Sequence, residues 1–260
     1  MRTRPQHAGS GHMSNGSALR LFPKRASYYD AVYDAIYDPY SGKDYKSESK
    51  RLLRFVKRHK RSNGGSLLDV PCGTGGHLCY LKTWFDAEGL DIDGKALAMA
   101  RKVNPGIQFH RGNMLTFKLP KRFDVISCLS GAIGYMTTVT QLREAVRNMS
   151  RHLKAGGALI IEPWVTPRKF RGESLHVVLV NQPNLKLVRM GTSSIRDRTL
   201  IMNFHYLIAT PKNTRYFSKS EKLGLFTHSE HLTSFGAAGL RVTYYKKGLT
   251  KRGLYVGVKA

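Results

Sequence analysis

A glycine-rich turn directly after a short apolar run restricts the fold of this chain more than any other feature. The apolar run covers residues 66–70, and Gly73, Gly75 and Gly76 follow it. Glycines at such a turn let the backbone bend sharply, and they let a ligand approach the N-terminus of the next helix. The turn therefore predicts a strand–turn–helix unit that holds a cofactor at the carboxyl end of the strand.

Short apolar runs alternate with amphipathic stretches from residue 66 to residue 162, which is typical of βα units around a mostly parallel sheet. Strands are predicted at residues 66–70, 87–92, 107–110, 123–129 and 158–162. Helices are predicted at residues 77–85, 95–103 and 141–153, and Gly156 and Gly157 are predicted to cap the last of them.

The pattern changes after residue 163, where β-rich runs follow one another with turn residues but without helices. Three such runs, at residues 175–180, 185–190 and 199–208, predict an antiparallel β lid. A helix at 229–238 and strands at 241–245 and 253–258 complete the expected fold, an α/β, Rossmann-like, doubly wound, mostly parallel seven-stranded sheet. The predicted organisation is a disordered tail at 1–26, a cofactor-binding core at 27–162, the lid insertion at 163–218 and a C-terminal helix and hairpin at 219–260.

The charge of the chain is unusual. It contains 43 Lys and Arg against 17 Asp and Glu, a formal net charge of +26, and such a field attracts nucleic acid, anionic surfaces or phosphorylated substrates. Residues 43–61 hold nine Lys or Arg but only Asp44 and Glu48 as acids, and they surround an apolar stripe. This run is interpreted mainly as a solvated helix face, and polyanion binding remains open.

Membrane and metal classes are disfavoured by the sequence. No apolar run reaches the roughly 18 residues that a membrane-spanning helix needs. Cys72, Cys79 and Cys128 form no CxxC pair, so neither a zinc site nor a disulfide framework is predicted. A reducing, cytoplasmic location fits this cysteine usage, and a homodimer remains open.

The spacing of the glycine loop distinguishes between cofactors. The dinucleotide fingerprint needs a third glycine where this chain has Leu78, and no Gly-Lys-Ser or Gly-Lys-Thr follows to make a phosphate loop. An acid at the end of the strand followed by Cys-Gly-Thr-Gly resembles the class I methyltransferases, which implies S-adenosyl-L-methionine as cofactor. The loop residues expected to bind it are Asp69, Cys72, Gly73, Thr74 and Gly75.

Two later positions match the ribose and adenine partners of that class. Asp91 lies at the tip of the second predicted strand, where a carboxylate accepts both ribose hydroxyls, and Asp93 is an alternative that better suits a helix cap. Asn113 replaces the usual adenine-binding Asp, but its amide oxygen can still accept a hydrogen bond from the adenine amino group. The remaining residues predicted to contact the cofactor are Ile92, Met114, Leu129, Tyr33 and Tyr45.

Several further motifs resemble the TDP-amino-sugar N,N-dimethyltransferases over residues 28–260. They are the runs at 33–37 and 42–45, Glu162-Pro163-Trp164, Tyr216-Phe217-Ser218 and the ending at 252–258. The resemblance implies stepwise methylation of a sugar amine that is linked to a nucleoside diphosphate. An RNA or protein methyltransferase, suggested by the charge, and a non-catalytic cofactor-fold binding protein are the alternatives.

Methyl transfer to an amine needs positioning and exclusion of water rather than a nucleophile. Tyr135, His205 and Glu162 are the candidates for a base that takes the ammonium proton. The residues assigned to the substrate are Tyr37, Ala132, Trp164 and Arg252. Arg252 is expected to pair with a diphosphate, and Ala132 stands where the family commonly has a serine.

Overall fold

The computed structural model of the protein describes residues 43–166 and 174–260. The predictions for the tail at 1–26 and for Tyr33 and Tyr37 lie outside these residues. The helices are α1 Tyr45–His59, α2 Leu78–Leu81, α3 Gly94–Val103, α4 Val139–Arg151 and α5 His228–Ala237. The strands are β1 Ser66–Asp69, β2 Asp86–Asp91, β3 Gln108–Arg111, β4 Phe123–Cys128, β5 Leu153–Ile161, β6 Ser174–Gln182, β7 Leu185–Arg196, β8 Thr199–Ala209, β9 Thr214–Gly224, β10 Leu240–Tyr245 and β11 Leu254–Lys259.

Seven strands form the core sheet in the order β10-β11-β5-β4-β1-β2-β3. All neighbours pair in parallel except β11, which runs antiparallel to both β10 and β5. The predicted doubly wound, mostly parallel seven-stranded sheet is therefore confirmed. The order reverses between β1 and β4, and ligands of open α/β sheets bind outside the carboxyl ends of strands at such a reversal.

Apolar side chains cover both faces of the core sheet. On one face, Leu52 and Val56 of α1 are 0% and 1% exposed and belong to a cluster with Leu67 of β1. On the other face, Leu142 and Val146 of α4 are fully buried. Each such side chain contributes about 1.5–3 kcal/mol. Packing on both faces makes the sheet a rigid platform for the loops at its edge. Within the described residues, no helix is long and apolar enough to cross a membrane.

The predicted lid is a four-stranded antiparallel sheet in the order β6-β7-β8-β9. Its inner face buries Leu187, Phe204 and Tyr206, whereas its outer face is exposed. Sequence analysis found three of the strands and missed β9, which is rich in charged and hydroxyl side chains. The predicted lid boundary at residue 218 lies inside β9, which continues to Gly224.

The end of α4 differs from the prediction. The helix ends at Arg151, and its C-cap is His152, whose ring bonds the Asn148 carbonyl oxygen through Nδ1 at 2.9 Å. Gly156 and Gly157 do not cap this helix, because both lie inside β5. Gly156 has a φ of 72°, and a Cβ on it would lie 2.7 Å from the backbone nitrogen of Ser62. Glycine at position 156 therefore allows close contact with the segment that follows α1.

Candidate active site

A cavity of about 1210 Å³ lies between the carboxyl edge of the core sheet and the inner face of the lid. One end, which we call the loop end, is lined by the glycine turn and the residues after β2. The other end, the lid end, is lined by Trp164, Arg252 and residues of β6 to β9. Small-molecule sites usually enclose roughly 300–1,000 Å³. The cavity is therefore large enough for a cofactor and an acceptor together.

The glycine turn exposes backbone at Gly73 and Gly76 to the loop end of the cavity. Gly73 and Gly75 have φ values of 53° and 81°, in the left-handed region that favours glycine. A Cβ on Gly75 would lie 2.6 Å from Asn104 Nδ2, which donates to the Gly75 carbonyl oxygen at 3.1 Å. A Cβ on Gly76 would lie 2.6 Å from the Tyr45 ring. Any side chain there would disturb the turn, which suits close approach of a cofactor to the backbone.

Asp91 connects this turn to the end of β2. Its Oδ2 accepts a hydrogen bond from the Gly73 N–H at 2.8 Å, and its Oδ1 accepts one from the Asp93 N–H at 2.9 Å. Burial raises the pKa of Asp91, although these hydrogen bonds oppose the shift. Each carboxylate oxygen keeps a second lone pair for a hydroxyl donor. Asp93 instead caps α3, accepting from the Lys95 N–H at 2.8 Å.

Asp69 is buried beneath the glycine turn, whereas Cys72 lies at the cavity surface. Asp69 is 2% exposed beneath the turn, where it accepts a hydrogen bond from Ser127 Oγ at 2.7 Å, and burial raises its pKa. Asp69 does not line the cavity, whereas Cys72 and Thr74 do. Burial raises the pKa of the Cys72 and Cys128 thiols, so both stay protonated and neither is an activated nucleophile.

The residues predicted around adenine separate into two groups. Ile92, 59% exposed, and Leu129 line the cavity. Asn113 and Met114 do not line it. The Asn113 side chain caps its own turn, accepting from the Leu115 N–H at 2.9 Å, and Met114 is packed in the core. In this structure, neither Asn113 nor Met114 reaches the cavity where the cofactor is expected to bind.

A buried polar network that sequence analysis missed extends from the loop end. The Lys43 ammonium donates to Ser130 Oγ and lies 3.6 Å from Glu48 Oε2. Glu48 in turn lies 2.9 Å from His77 Nε2, next to the glycine turn. Burial acts to raise the pKa of Glu48, but the His77 hydrogen bond and the Lys43 charge leave it lowered. The run of residues 42–45, which resembles the amino-sugar methyltransferases, was the signal that could have indicated Lys43.

Glu162 is a structural acceptor rather than a base facing the cavity. It is fully buried, and its two oxygens accept from the Ser130 N–H at 2.8 Å and from Thr250 Oγ1 at 2.6 Å. It does not line the cavity. The prediction that Glu162 takes the ammonium proton is therefore corrected. Its contacts fix Ser130, which has a φ of 59°, and the turn that carries Arg252.

Trp164 and Arg252 pack against each other at the lid end of the cavity. The Arg252 guanidinium lies 4.6 Å from the Trp164 ring centroid and 3.9 Å from Glu162 Oε2. A Cβ on Gly131 would lie 2.4 Å from a ring carbon of Trp164, so glycine is required beside it. Trp164 Nε1 is buried and has no hydrogen-bond partner within the described residues, which leaves a donor for a ligand. Ala132 lines the cavity nearby.

Tyr135 and His205 lie on opposite sides of the lid sheet. Tyr135 ends a short 3-10 helix, lines the cavity, and has its hydroxyl 3.5 Å from Glu221 Oε2 of β9. His205 is exposed on the outer face, with Nδ1 2.6 Å from the Tyr216 hydroxyl. The prediction that His205 acts on the substrate is wrong in this geometry. Because its neighbours in β8 point inward, the strand alternation turns His205 outward.

Comparisons with known proteins show which family this chain is similar to. Residues 67–157 match the family model described as a methyltransferase domain. A dTDP-3-amino-3,4,6-trideoxy-alpha-D-glucopyranose N,N-dimethyltransferase of Streptomyces venezuelae is 36% identical, over 88% of this chain and 97% of its own length. A dTDP-4-amino-2,3,4,6-tetradeoxy-D-glucose N,N-dimethyltransferase of Saccharopolyspora spinosa is 34% identical, over 91% and 93%. The structure of an amino pentose methyltransferase from Micromonospora echinaspora with bound S-adenosylmethionine superposes with a TM-score of 0.78, at 36% identity over 88% and 97% of the two chains.

Proposed function

Because this chain belongs to the family of dTDP-amino-sugar N,N-dimethyltransferases and is an S-adenosylmethionine-dependent methyltransferase, we propose that its acceptor is the amine of a sugar linked to a nucleoside diphosphate. The sugars in the names of the two relatives carry the amine at different ring positions, C3 in one and C4 in the other. The proposal therefore specifies the class of acceptor and leaves the position of its amine to experiment.

The observation that carries this proposal is the cavity with a loop end and a lid end. The loop end offers a carboxylate, Asp91, and a glycine surface, which suit a ribose and a cofactor backbone. The lid end offers the Arg252 guanidinium, which suits a diphosphate because it can donate two parallel hydrogen bonds. We infer that cofactor and acceptor enter opposite ends and meet between Tyr135 and Trp164.

The residues of this chain would act by positioning. S-adenosylmethionine, when bound, supplies an electrophilic methyl group. Tyr45 and Trp164 would exclude water from the reacting atoms, and the Tyr135 hydroxyl would hold the neutral amine so that its lone pair faces the methyl group. Tyr135 is preferred over the other two base candidates because it lines the cavity. Glu162 would keep the Ser130 turn and Arg252 in place.

A thermal-shift experiment tests the acceptor class. The protein is melted with S-adenosylhomocysteine alone and with a panel of TDP-linked 3-amino and 4-amino sugars. A further rise in melting temperature with one or more sugars is expected, followed by products that carry one and two added methyl groups in mass spectrometry. No shift and no product across the panel, with S-adenosylhomocysteine still stabilising the protein, would reject this acceptor class but not the cofactor.

We also propose that the protein is a homodimer joined through the outer face of the lid sheet. That face exposes the large apolar side chains Leu175, Leu179, Met190, Leu207 and Tyr216, at 83%, 68%, 57%, 49% and 64%. Monomers rarely expose a continuous apolar patch of more than a few hundred Å². None of these five residues is charged, so the patch itself adds no like-charge contact when two copies of this strongly basic chain meet through it.

A further inference from the structure

Six exposed cations form a stripe along one side of α1 and its C-terminal extension, and we call this stripe the basic face. Its members are Lys46, Lys50, Arg54, Lys57, Arg58 and Arg61. Apart from the adjacent pair Lys57 and Arg58, successive members are three or four residues apart, which places them on one side of the helix. The two acids of this segment lie elsewhere, because Asp44 caps the helix and Glu48 is buried against His77. The basic face is therefore uniformly positive.

None of these six side chains forms an ion pair with a carboxylate in the described part of the chain. The Arg61 guanidinium donates to the Arg58 carbonyl oxygen at 3.1 Å, which leaves its charge uncompensated. Like charges three or four residues apart destabilise a helix. The basic face thus opposes the stability of α1, and an external polyanion would relieve this repulsion.

A groove continues the basic face beyond the end of α1. It encloses about 280 Å³ and is lined by His59, Arg61, Arg241, Thr243 and Val258, with no carboxylate. Burial and the charges of Arg58 and Arg61 lower the pKa of His59. The His59 ring bonds the Tyr245 hydroxyl at 2.6 Å and forms a fixed wall of the groove. Positive potential therefore extends from α1 onto the edge strand β10.

The dimensions of the basic face match a regular polyanion. At 1.5 Å per residue, the distance from Lys46 to Arg58 is about 18 Å, and each strand of B-form DNA advances about 3.4 Å along the duplex axis per phosphate. The basic face is therefore long enough to contact several phosphates, including phosphates on both sides of the roughly 12 Å wide major groove. We propose that the basic face binds the phosphate backbone of double-stranded DNA without reading its sequence, as a function separate from methyl transfer.

The surroundings of the cations favour a duplex over other polyanions. Single strands are held by stacking on aromatic side chains, but Phe55 of α1 is engaged with Tyr245 at a ring distance of 4.7 Å. Membrane-surface helices insert apolar residues, but Leu52 and Val56 are buried in the core. None of the exposed large apolar side chains of the described residues belongs to α1. A duplex backbone needs neither feature.

The experiment is fluorescence anisotropy with a labelled DNA duplex of about 20 base pairs, titrated at several salt concentrations between about 50 and 200 mM. The test variant combines Lys46→Gln, Lys50→Gln, Arg54→Gln and Lys57→Gln. The matched control removes the same number of charges from the exposed surface elsewhere, with Lys95→Gln, Lys102→Gln, Lys118→Gln and Arg122→Gln. Each phosphate contact contributes about 0.9 to the slope of log K against log salt.

The test variant is expected to lose more than about tenfold in affinity, with a slope reduced by up to about 3.6, while the control binds like the parent chain. Absence of binding by the parent chain, an unchanged test variant, or equal losses in both variants would overturn the proposal. Equally tight binding of single-stranded DNA or phosphatidylserine vesicles would reject the duplex. If the combined variant fails to fold, single Lys50→Glu and Arg54→Glu variants replace it, with Lys102→Glu as their control and the same criteria.

Discussion

Asp91 and Glu162 are both buried carboxylates near the cavity, but their neighbouring atoms give them different tasks. Asp91 accepts one backbone N–H on each oxygen and lines the cavity, so its remaining lone pairs can meet a ligand. Glu162 is surrounded by donors of the protein itself and lies behind the cavity wall. Burial alone therefore does not identify a functional acid. The hydrogen-bond partners of each carboxylate oxygen determine whether the acid can contact a ligand.

Replacement of Asp91 by Asn should weaken binding of S-adenosylhomocysteine by roughly 10- to 100-fold, because hydrogen bonds to a charged acceptor contribute about 1.5–3 kcal/mol. Isothermal titration calorimetry measures this loss. Asp93→Ala is the matched control. It removes the cap of α3, so the melting temperature should fall, but the affinity for the cofactor product should remain. Unchanged affinity in Asp91→Asn would exclude a ribose contact.

Replacement of Tyr135 by Phe should lower kcat about tenfold, because the amine loses the hydroxyl that orients it, while the affinity for S-adenosylhomocysteine stays the same. Steady-state kinetics with a TDP-amino sugar measure the change. His205→Ala, on the outer face of the lid, should keep parental kcat and KM. A large loss of kcat in His205→Ala with normal folding would contradict the placement of His205 away from the substrate.

At the scale of elements, the sequence predicted the core better than the lid. The central strands of the core are buried on both faces and are therefore rich in apolar residues. All six residues of β4 are buried, and four of them are apolar. β9 was missed because charged side chains such as Lys219 and Glu221 alternate along it, and these two side chains line the cavity instead of packing in an apolar core. The contacts of Lys43 and Glu162 could not be predicted, because they depend on tertiary packing between distant segments.

The packing of α5 on β11 makes the fold sensitive to acid. His231 of α5 is 2% exposed, its ring stacks on Tyr255 at 4.6 Å, and burial lowers its pKa to about 4 from 6.5. A lowered pKa means that the unfolded chain takes up the proton first. The neutral form of His231 therefore contributes stability above pH 6.5, and this contribution is lost as the pH falls from 6.5 towards 4.

His231→Phe, which keeps a ring against Tyr255 without a titrating group, should remove this part of the acid sensitivity. The free energy of unfolding of the parent chain should drop by up to about 3 kcal/mol over that pH interval relative to the variant. Urea unfolding at several pH values measures the difference. Parallel pH profiles for the two proteins would show that His231 does not titrate as its burial predicts.

At the scale of the whole molecule, the lid separates two environments. Its inner face closes the cavity, and its outer face carries the apolar patch proposed to join two copies. The lid is therefore expected to be more ordered in a dimer than in a monomer, because pairing would remove its exposed apolar surface from water. Formation of the dimer and the shape of the acceptor site would then both depend on the lid sheet.

The double variant Leu179→Lys and Met190→Lys should convert a dimer to a monomer, because it places like charges within the patch on both copies. Sedimentation velocity measures the mass in solution. Trp84→Lys, which changes an exposed aromatic residue on the core at 39% exposure, should leave the dimer intact. A parent chain that sediments as a monomer across the concentration range would refute the proposed assembly.

If the proposed amine accepts two methyl groups, as the names of the relatives imply for theirs, a cavity with separate loop and lid ends would bear on how the second group is added. The spent cofactor would leave past the glycine turn, and the sugar nucleotide would be retained by contacts near Arg252, so the two departures need not occur together. The singly methylated sugar would then remain bound while a fresh cofactor replaces the used one. Catalysis would be processive, and doubly methylated product would form before free intermediate builds up in solution.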